Sequence, residues 1–249
     1  MFVRDTGDAS GPVLLLIHGG GVAGWMWQAQ VAHFGSRHRL LVPDLPGHDR
    51  SADVPFTTSA AIVAELAALL ERLPAGTDVT VVGFSLGAQI ALELASSRPE
   101  LVARVVVTSA LTQGAPLPGL TNRLVGATAG LAHQEWFAKL QAKSLFIPDR
   151  LLSDYLRTSK TLPKDSLIAL MKANAEFRAP ATWPEYPGPA LLLAGAKEPR
   201  ALRDGMQRLH GDNARSELVI HERVGHGLPL QHPEWFNAVV DRWLDDRSG

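Results

Sequence analysis

The sequence predicts an α/β fold, a mostly parallel sheet wrapped by helices. Three observations predict it. Short continuous apolar runs of strand length recur along the chain. Segments with helical apolar spacing separate them, as strand–helix alternation requires. Several runs end directly in glycine-rich loops, the pattern of strands buried on both faces.

The first run is Val13-Leu14-Leu15-Leu16-Ile17, which stops at His18-Gly19-Gly20-Gly21. Trp25 to Phe34 reads as a helix. Arg39 to Pro43 reads as a second buried strand, ending in the turn-rich Asp44-Leu45-Pro46-Gly47-His48. Ile62, Leu66, Leu69, Leu70 and Leu73 fall at helical spacing between Thr58 and Leu73, with Pro74 as a stop. Asp78 to Gly83 is a third strand. It runs straight into Phe84-Ser85-Leu86-Gly87, and Ala88 to Ser96 continues as a helix rich in small residues. Leu101 to Thr108 holds the next strand. From Leu111 to Pro187 there is no β-branched run, and Pro116, Pro118, Pro148, Pro163, Pro180, Pro184 and Pro187 interrupt the helical patterns. This stretch is expected to be a helical insertion covering the sheet. Strands return at Pro189 to Gly195 and at Ser216 to Ile220. Pro233 to Asp245 closes the pattern as a helix with Phe236, Val239, Val240, Trp243 and Leu244 on its apolar face. The expected organisation is one core built from residues 1–110 and 188–249, with a helical cap at 111–187.

Composition narrows the function. The chain has 249 residues, 46% hydrophobic and 20% charged, which suits a soluble globular domain with a large core. The formal net charge of −1 leaves no basic footprint for nucleic acid, and no basic amphipathic stretch argues for a membrane surface. There is no cysteine, so disulfides, thiolate nucleophiles and zinc–thiolate sites are excluded, and no metal is expected. Acidic residues come too early at the N-terminus for a signal peptide, and the Val13–Ile17 run is too short to span a bilayer. A cytoplasmic protein acting on a small-molecule substrate is expected. The sequence carries no signal of oligomeric state.

The chemistry centres on Gly83-Phe84-Ser85-Leu86-Gly87. A serine on a sharp strand-to-helix turn has its hydroxyl raised above the sheet, beside the unpaired N–H groups of a helix N-terminus. The competing reading is a glycine-rich turn whose serine caps the helix. A serine nucleophile needs a base. Of nine histidines, His226 is preferred, because it follows the last strand in a Val224-Gly225-His226-Gly227 loop, where open α/β sheets gather their sites. His221 and His232 are the runners-up, and His48 is a candidate for substrate contact. The base needs an orienting carboxylate. Glu198 is the first acid after the strand ending at Ala194, against the alternative that it is a solvated loop charge paired with Lys197 or Arg200. Asp204 is the fallback. Oxyanion donors are expected from the backbone N–H groups of Leu86 and Gly20, with Gly21 as the alternative to Gly20. Gly21, Trp25, Trp27, Phe84, Trp136 and Leu228 are candidates for the substrate pocket, as are Phe137, Phe146 and Trp183. Ordinary core packing competes at each aromatic.

Together these segments resemble the serine-nucleophile members of the α/β-hydrolase superfamily that carry a helical cap. His18 to Gly21 resembles the family's oxyanion loop, Asp44 to Ser51 its Asp-x-Pro-Gly-x-Gly-x-Ser loop, Gly83 to Gly87 its nucleophile elbow, and Glu198 and His226 its acid and histidine loops. The resemblance implies a sheet of about eight strands, no cofactor, and a Ser-His-Glu triad cleaving a small ester or lactone. Asp49 departs from the family's glycine, and Glu198 from its commoner aspartate. The serine argues against epoxide hydrolases and haloalkane dehalogenases, which use aspartate at the elbow. Lyases, acyltransferases or synthases, and C–C bond hydrolases on this fold are the enzymatic alternatives; a receptor-like binding protein is the non-enzymatic one.

Overall fold

The computed structural model describes residues 1–115, 119, 123, 129–131 and 133–246. Pro116 and Pro118 lie outside the described residues. The strands are β1 (Phe2–Gly7), β2 (Val13–Ile17), β3 (Arg39–Asp44), β4 (Val79–Phe84), β5 (Arg104–Thr108), β6 (Ala190–Gly195) and β7 (Ser216–His221). They form one sheet in the order β1-β3-β2-β4-β5-β6-β7, in which only the β1–β3 pair is antiparallel. The helices are α1 (Gln28–Phe34), α2 (Ser59–Leu70), α3 (Leu86–Ser97), α4 (Glu135–Ser144), α5 (Leu152–Thr161), α6 (Lys164–Glu176), α7 (Arg200–Asp212), α8 (Leu228–Gln231) and α9 (Pro233–Asp245).

Strand side chains alternate between two cores. Leu15, Ile17, Val81, Val105, Val107 and Leu192 pack against α2, α3 and α7. Leu14, Leu16, Val82, Val106, Leu191 and Leu193 pack in one cluster with Trp27, Phe34 and, from α9, Phe236, Val240 and Trp243. Both faces are covered, which is why these strands are continuous apolar runs rather than alternating ones. The six strands expected from such runs are all present. The seventh, β1, is an edge strand with mostly exposed residues, so its sequence carries no apolar run. The sheet has seven strands among the described residues, one fewer than the resemblance implied.

Helix starts follow local chemistry. Thr58 caps α2 by accepting the Ala61 N–H at 3.1 Å, and Pro233 opens α9 where its missing N–H costs nothing. The Trp25–Phe34 helix expected from sequence is split into a 3-10 turn, Gly24–Trp27, followed by α1.

Between β5 and β6 the regular structure of the described residues is helical apart from one isolated bridge, Gln113–Arg178. The two ends of this excursion meet: Ala115 N–H donates to Ala175 O at 2.7 Å and Ala179 N–H to Thr112 O at 2.8 Å. Gln89 of α3, fully buried, donates from Nε2 to Leu111 O at 2.8 Å and Asn174 O at 3.2 Å, so one side chain ties both ends to the sheet's central helix. Trp183 and Tyr186, near the return point, are buried in the core and stack at 5.8 Å.

The tightest packing is where β4 turns into α3. A Cβ at Gly83 would strike the Gly87 carbonyl, and a Cβ at Gly87 would strike the Ile17 and His18 carbonyls. Backbone atoms cannot yield as a side-chain tip does. Gly87→Ala is therefore expected to cost about 3 kcal/mol or more of unfolding free energy, read by urea denaturation. An unchanged midpoint would mean that α3 can move off β2.

Candidate active site

Ser85 joins β4 to α3 with φ 55 and ψ −115, a conformation that non-glycine residues rarely adopt. Its N–H donates to Thr108 O at 2.9 Å, which fixes the turn to the neighbouring strand. Its hydroxyl makes no cap bond to α3. Ser85 Oγ instead lies 2.9 Å from His226 Nε2. The helix-cap reading is therefore not what the hydroxyl does.

His226 Nδ1 lies 2.9 Å from Glu198 Oε1, and the Glu198 side chain is fully shielded from solvent. The second oxygen, Oε2, accepts the Gly195 N–H at 3.0 Å. With the carboxylate ionised, Nδ1 carries the proton and Nε2 is left free to accept from Ser85. The loops that bring these residues together are themselves joined. Lys197 N–H donates to Val224 O at 2.9 Å and Ala196 N–H to His221 O at 3.0 Å. Glu198 does not pair with Arg200, which is exposed and bonded to Asp204 on α7. Asp204 is thereby removed as an orienting acid. The His221 and His232 rings lie 5.0 Å apart in a tilted contact, and neither bonds Ser85 or Glu198.

Opposite this chain of hydrogen bonds, the N–H groups of Gly20 and Leu86 have no acceptor among the described residues. The two residues face each other: a Cβ built at Gly20 would sit 3.6 Å from Leu86 Cδ2 and 3.1 Å from Leu170 Cδ1 of α6. The Gly21 N–H, the alternative donor, is already given to His48 Nε2 at 3.1 Å.

His48 is fully buried and has both ring nitrogens engaged, so it has no free atom for substrate. Its Nδ1 donates to Pro46 O at 2.9 Å. His18, equally buried, donates from Nδ1 to Gly19 O at 2.7 Å and accepts the Leu45 N–H at Nε2 at 2.9 Å. Backbone carbonyls only accept and backbone N–H groups only donate, so both rings must be neutral with the proton on Nδ1. Burial pushes the His48 pKa down to about 4. It pushes His18 well below its ordinary value, with the neighbouring His48 adding to the effect.

Among the pocket candidates, Phe84 lies against the His226 ring at 5.2 Å and beneath Gly19. Trp25 is buried and donates from Nε1 to Thr158 Oγ1 of α5 at 2.9 Å. Gly21 is half-buried with open space beside its Cα. Three others are elsewhere. Trp27 and Leu228 are fully buried in the core, Trp27 against Phe236, and Trp136 is 61% exposed on α4. Trp183 is also core, Phe137 is half-buried, and Phe146 covers Gly225 and Gly227 on either side of His226. Asp49 keeps the left-handed turn that a glycine would supply, at φ 41. Its carboxylate is held by Arg157 of α5 through bonds of 3.1 and 3.0 Å. Gln89, Arg157 and the histidine pair are the contacts that sequence reasoning missed. Of these, His48 stands in a loop the motif already marked, as does Asp49, the partner of Arg157.

The sequence profile of the alpha/beta hydrolase family matches residues 14–239, and the chain belongs to that family. It is 30% identical over 247 residues to a pimeloyl-[acyl-carrier protein] methyl ester esterase of Neisseria meningitidis serogroup B (strain ATCC BAA-335 / MC58), covering 92% of each chain. It is 40% identical over 107 residues to the magnesium-chelatase 30 kDa subunit of Rhodobacter capsulatus, a match spanning 42% of this chain and 37% of that protein. In fold it is similar to the enol-lactonase from Burkholderia xenovorans LB400, with a TM-score of 0.84 at 19% identity over 98% of this chain and 96% of that one. Family membership and the esterase-named relatives support an enzyme, a carboxylic ester hydrolase. Among the described residues no helix is long and apolar enough to cross a membrane.

The neutral histidine pair sets an acid limit on stability. In the unfolded chain His48 titrates near 6.5, and in the fold near 4. Below pH 6.5 the unfolded state holds more protons, so stability is full above that value and is lost as pH falls toward 4. His48 alone is expected to remove about 3 kcal/mol by the lower value. Denaturant midpoints measured from pH 7.5 down to 4 check this, and a flat profile across that range would refute it.

Proposed function

We propose that the chain is a serine hydrolase that cleaves a small carboxylic ester or lactone through an acyl-enzyme. The observation that carries this reading is the unbroken hydrogen-bond chain from Ser85 Oγ through His226 to the buried Glu198, set opposite two N–H groups without acceptors. In the proposed sequence His226 Nε2 takes the Ser85 proton as Oγ attacks the ester carbonyl carbon. Charge develops on the former carbonyl oxygen, where Gly20 and Leu86 N–H groups donate. His226 gives its proton to the alkoxide oxygen, the C–O bond breaks, and the acyl group stays on Ser85. Water then repeats the attack, His226 takes its proton, and the acid leaves as Oγ is reprotonated. Glu198 offsets the imidazolium charge at both stages. No cofactor is called for.

Residues 111–187 are the proposed cap, which selects substrate. The meeting of its two ends at Thr112–Ala115 and Ala175–Ala179 supports an insertion on one neck, and Leu170 beside Gly20 supports its position over the site. The name of the Neisseria relative directs the first screen to methyl esters of small acids.

Fluorophosphonate labelling with peptide mapping tests the chemistry: Ser85 is the expected site, with turnover of short nitrophenyl or methyl esters. Ser85→Ala should abolish labelling and lower kcat by about 10⁵-fold or more, and Glu198→Gln by about 10³-fold. An unlabelled Ser85 in folded protein together with no ester turnover would sink the proposal. Ester or lactone turnover without a trappable acyl-Ser85 would replace it with general acid–base chemistry at the same residues.

A further inference from the structure

We propose that His48, backed by His18, is a positioning residue that selects which amide of the glycine loop receives the oxyanion. The inference rests on the acyl-transfer reading above. It deepens that reading by accounting for why Gly20, and not its neighbour, is the donor.

Three consecutive glycines leave the Gly19–Gly20 and Gly20–Gly21 peptide planes free to rotate. Each plane is rigid within itself, with its C=O and N–H pointing in opposite directions. Holding one group therefore aims the other. His18 Nδ1–H holds the Gly19 carbonyl at 2.7 Å, which turns the Gly20 N–H of the same plane away from the His18 ring. His48 Nε2 holds the Gly21 N–H at 3.1 Å, which fixes the next plane and takes its N–H out of competition. The two rings meet edge to face at 4.9 Å. Each is anchored on its far side to the Asp44–Ser51 loop, His18 by the Leu45 N–H and His48 by the Pro46 carbonyl. Asp44 adds a third tie by accepting the Gly24 N–H at 2.8 Å. Of three potential sources of oxyanion donors, Gly20, Gly21 and Leu86, the loop leaves the first and last unbonded.

A packing role makes a different prediction. If the ring merely filled space, phenylalanine would serve equally well. If the Nε2 acceptor matters, phenylalanine fails and glutamine, whose amide oxygen accepts at a similar reach, restores function.

The test uses the full chain, with kcat referred to Ser85 sites titrated to completion with a phosphonate. His48→Phe is expected to lower kcat about 100-fold, the scale of losing one oxyanion donor. KM should change by less than about threefold, since the donor acts in the transition state. His48→Gln should recover most of the loss. A His48→Phe enzyme with kcat within about threefold of the native value would overturn the proposal, as would a glutamine variant no better than phenylalanine. Amide NMR of the native protein gives a second readout that needs no variant. On phosphonylation of Ser85 the Gly20 and Leu86 amide protons should move downfield while Gly21 stays in place. Movement of Gly21 instead of Gly20 would overturn the assignment. Failure of the native enzyme to label at Ser85 would overturn the acyl-transfer reading itself, and this inference with it.

Discussion

The contact between β4 and α3 at Gly83 and Gly87 is the constraint on which the rest of the site depends. Backbone touches backbone there, with no side chain between. The chain must reverse direction within a few residues, and Ser85 takes the strain as φ 55, ψ −115. Such a conformation costs on the order of 1–3 kcal/mol and persists because its surroundings determine it. Ser85 N–H is bonded to Thr108 O, and α3 is buried along nearly its whole length. The same turn raises the hydroxyl toward His226 and leaves the Leu86 N–H at the open end of a helix, where partial positive charge gathers. The proposed nucleophile and one proposed oxyanion donor are thus consequences of a single close approach.

The other groups reach that turn through loops that bind each other. Glu198 and His226 come from the ends of adjacent parallel strands, β6 and β7, whose loops are bonded backbone to backbone. The glycine loop after β2 and the Asp44–Ser51 loop after β3 are joined through the two buried histidines. These joints differ in their electrostatics. His226 is partly exposed and bonded to a carboxylate on one side and a hydroxyl on the other. His18 and His48 are sealed and bonded only to backbone, and their ionisation is suppressed by the same burial that makes them rigid.

The sequence made the strands buried on both faces legible, because such strands must be apolar at every position. β1 was not legible: its residues Phe2-Val3-Arg4-Asp5-Thr6-Gly7 lie at an antiparallel edge, where pairing with β3 rather than burial defines the strand. Ser85, Glu198 and His226 were legible as candidates because each follows the carboxyl end of a parallel strand, and the fold converges those ends. Pocket-wall residues were not. Trp27, Trp136 and Leu228 look alike as apolar residues near motifs, yet two are core and one is exposed. Apolarity predicts removal from water without saying what removes it. His48 was marked by its loop and misread in role, since a sequence does not show that both ring nitrogens are already bonded. Asp49 departs from the family's glycine, and its partner Arg157, more than a hundred residues later, could not be read from the sequence.

The contacts between the proposed cap and the core follow a pattern that bears on how substrate choice can vary while chemistry stays fixed. Gln89, one helical turn beyond Ser85, holds the neck. Trp25, just past the glycine loop, bonds Thr158. Asp49, next to His48, bonds Arg157. Phe146 sits on the glycines either side of His226. Four of the five segments that supply a proposed catalytic or positioning group also supply a cap anchor within a few residues; the Glu198 loop is instead bonded to the His226 loop. The loops that carry the proposed triad are joined by backbone bonds within the core, while the anchors are side-chain contacts, two of them buried (Gln89 and Trp25) and one, Asp49–Arg157, partly exposed. Exposed ion pairs such as Asp49–Arg157 contribute about 1 kcal/mol or less. That anchor can therefore be exchanged at little cost to the turn that holds Ser85, whereas the buried Gln89 and Trp25 are held more firmly.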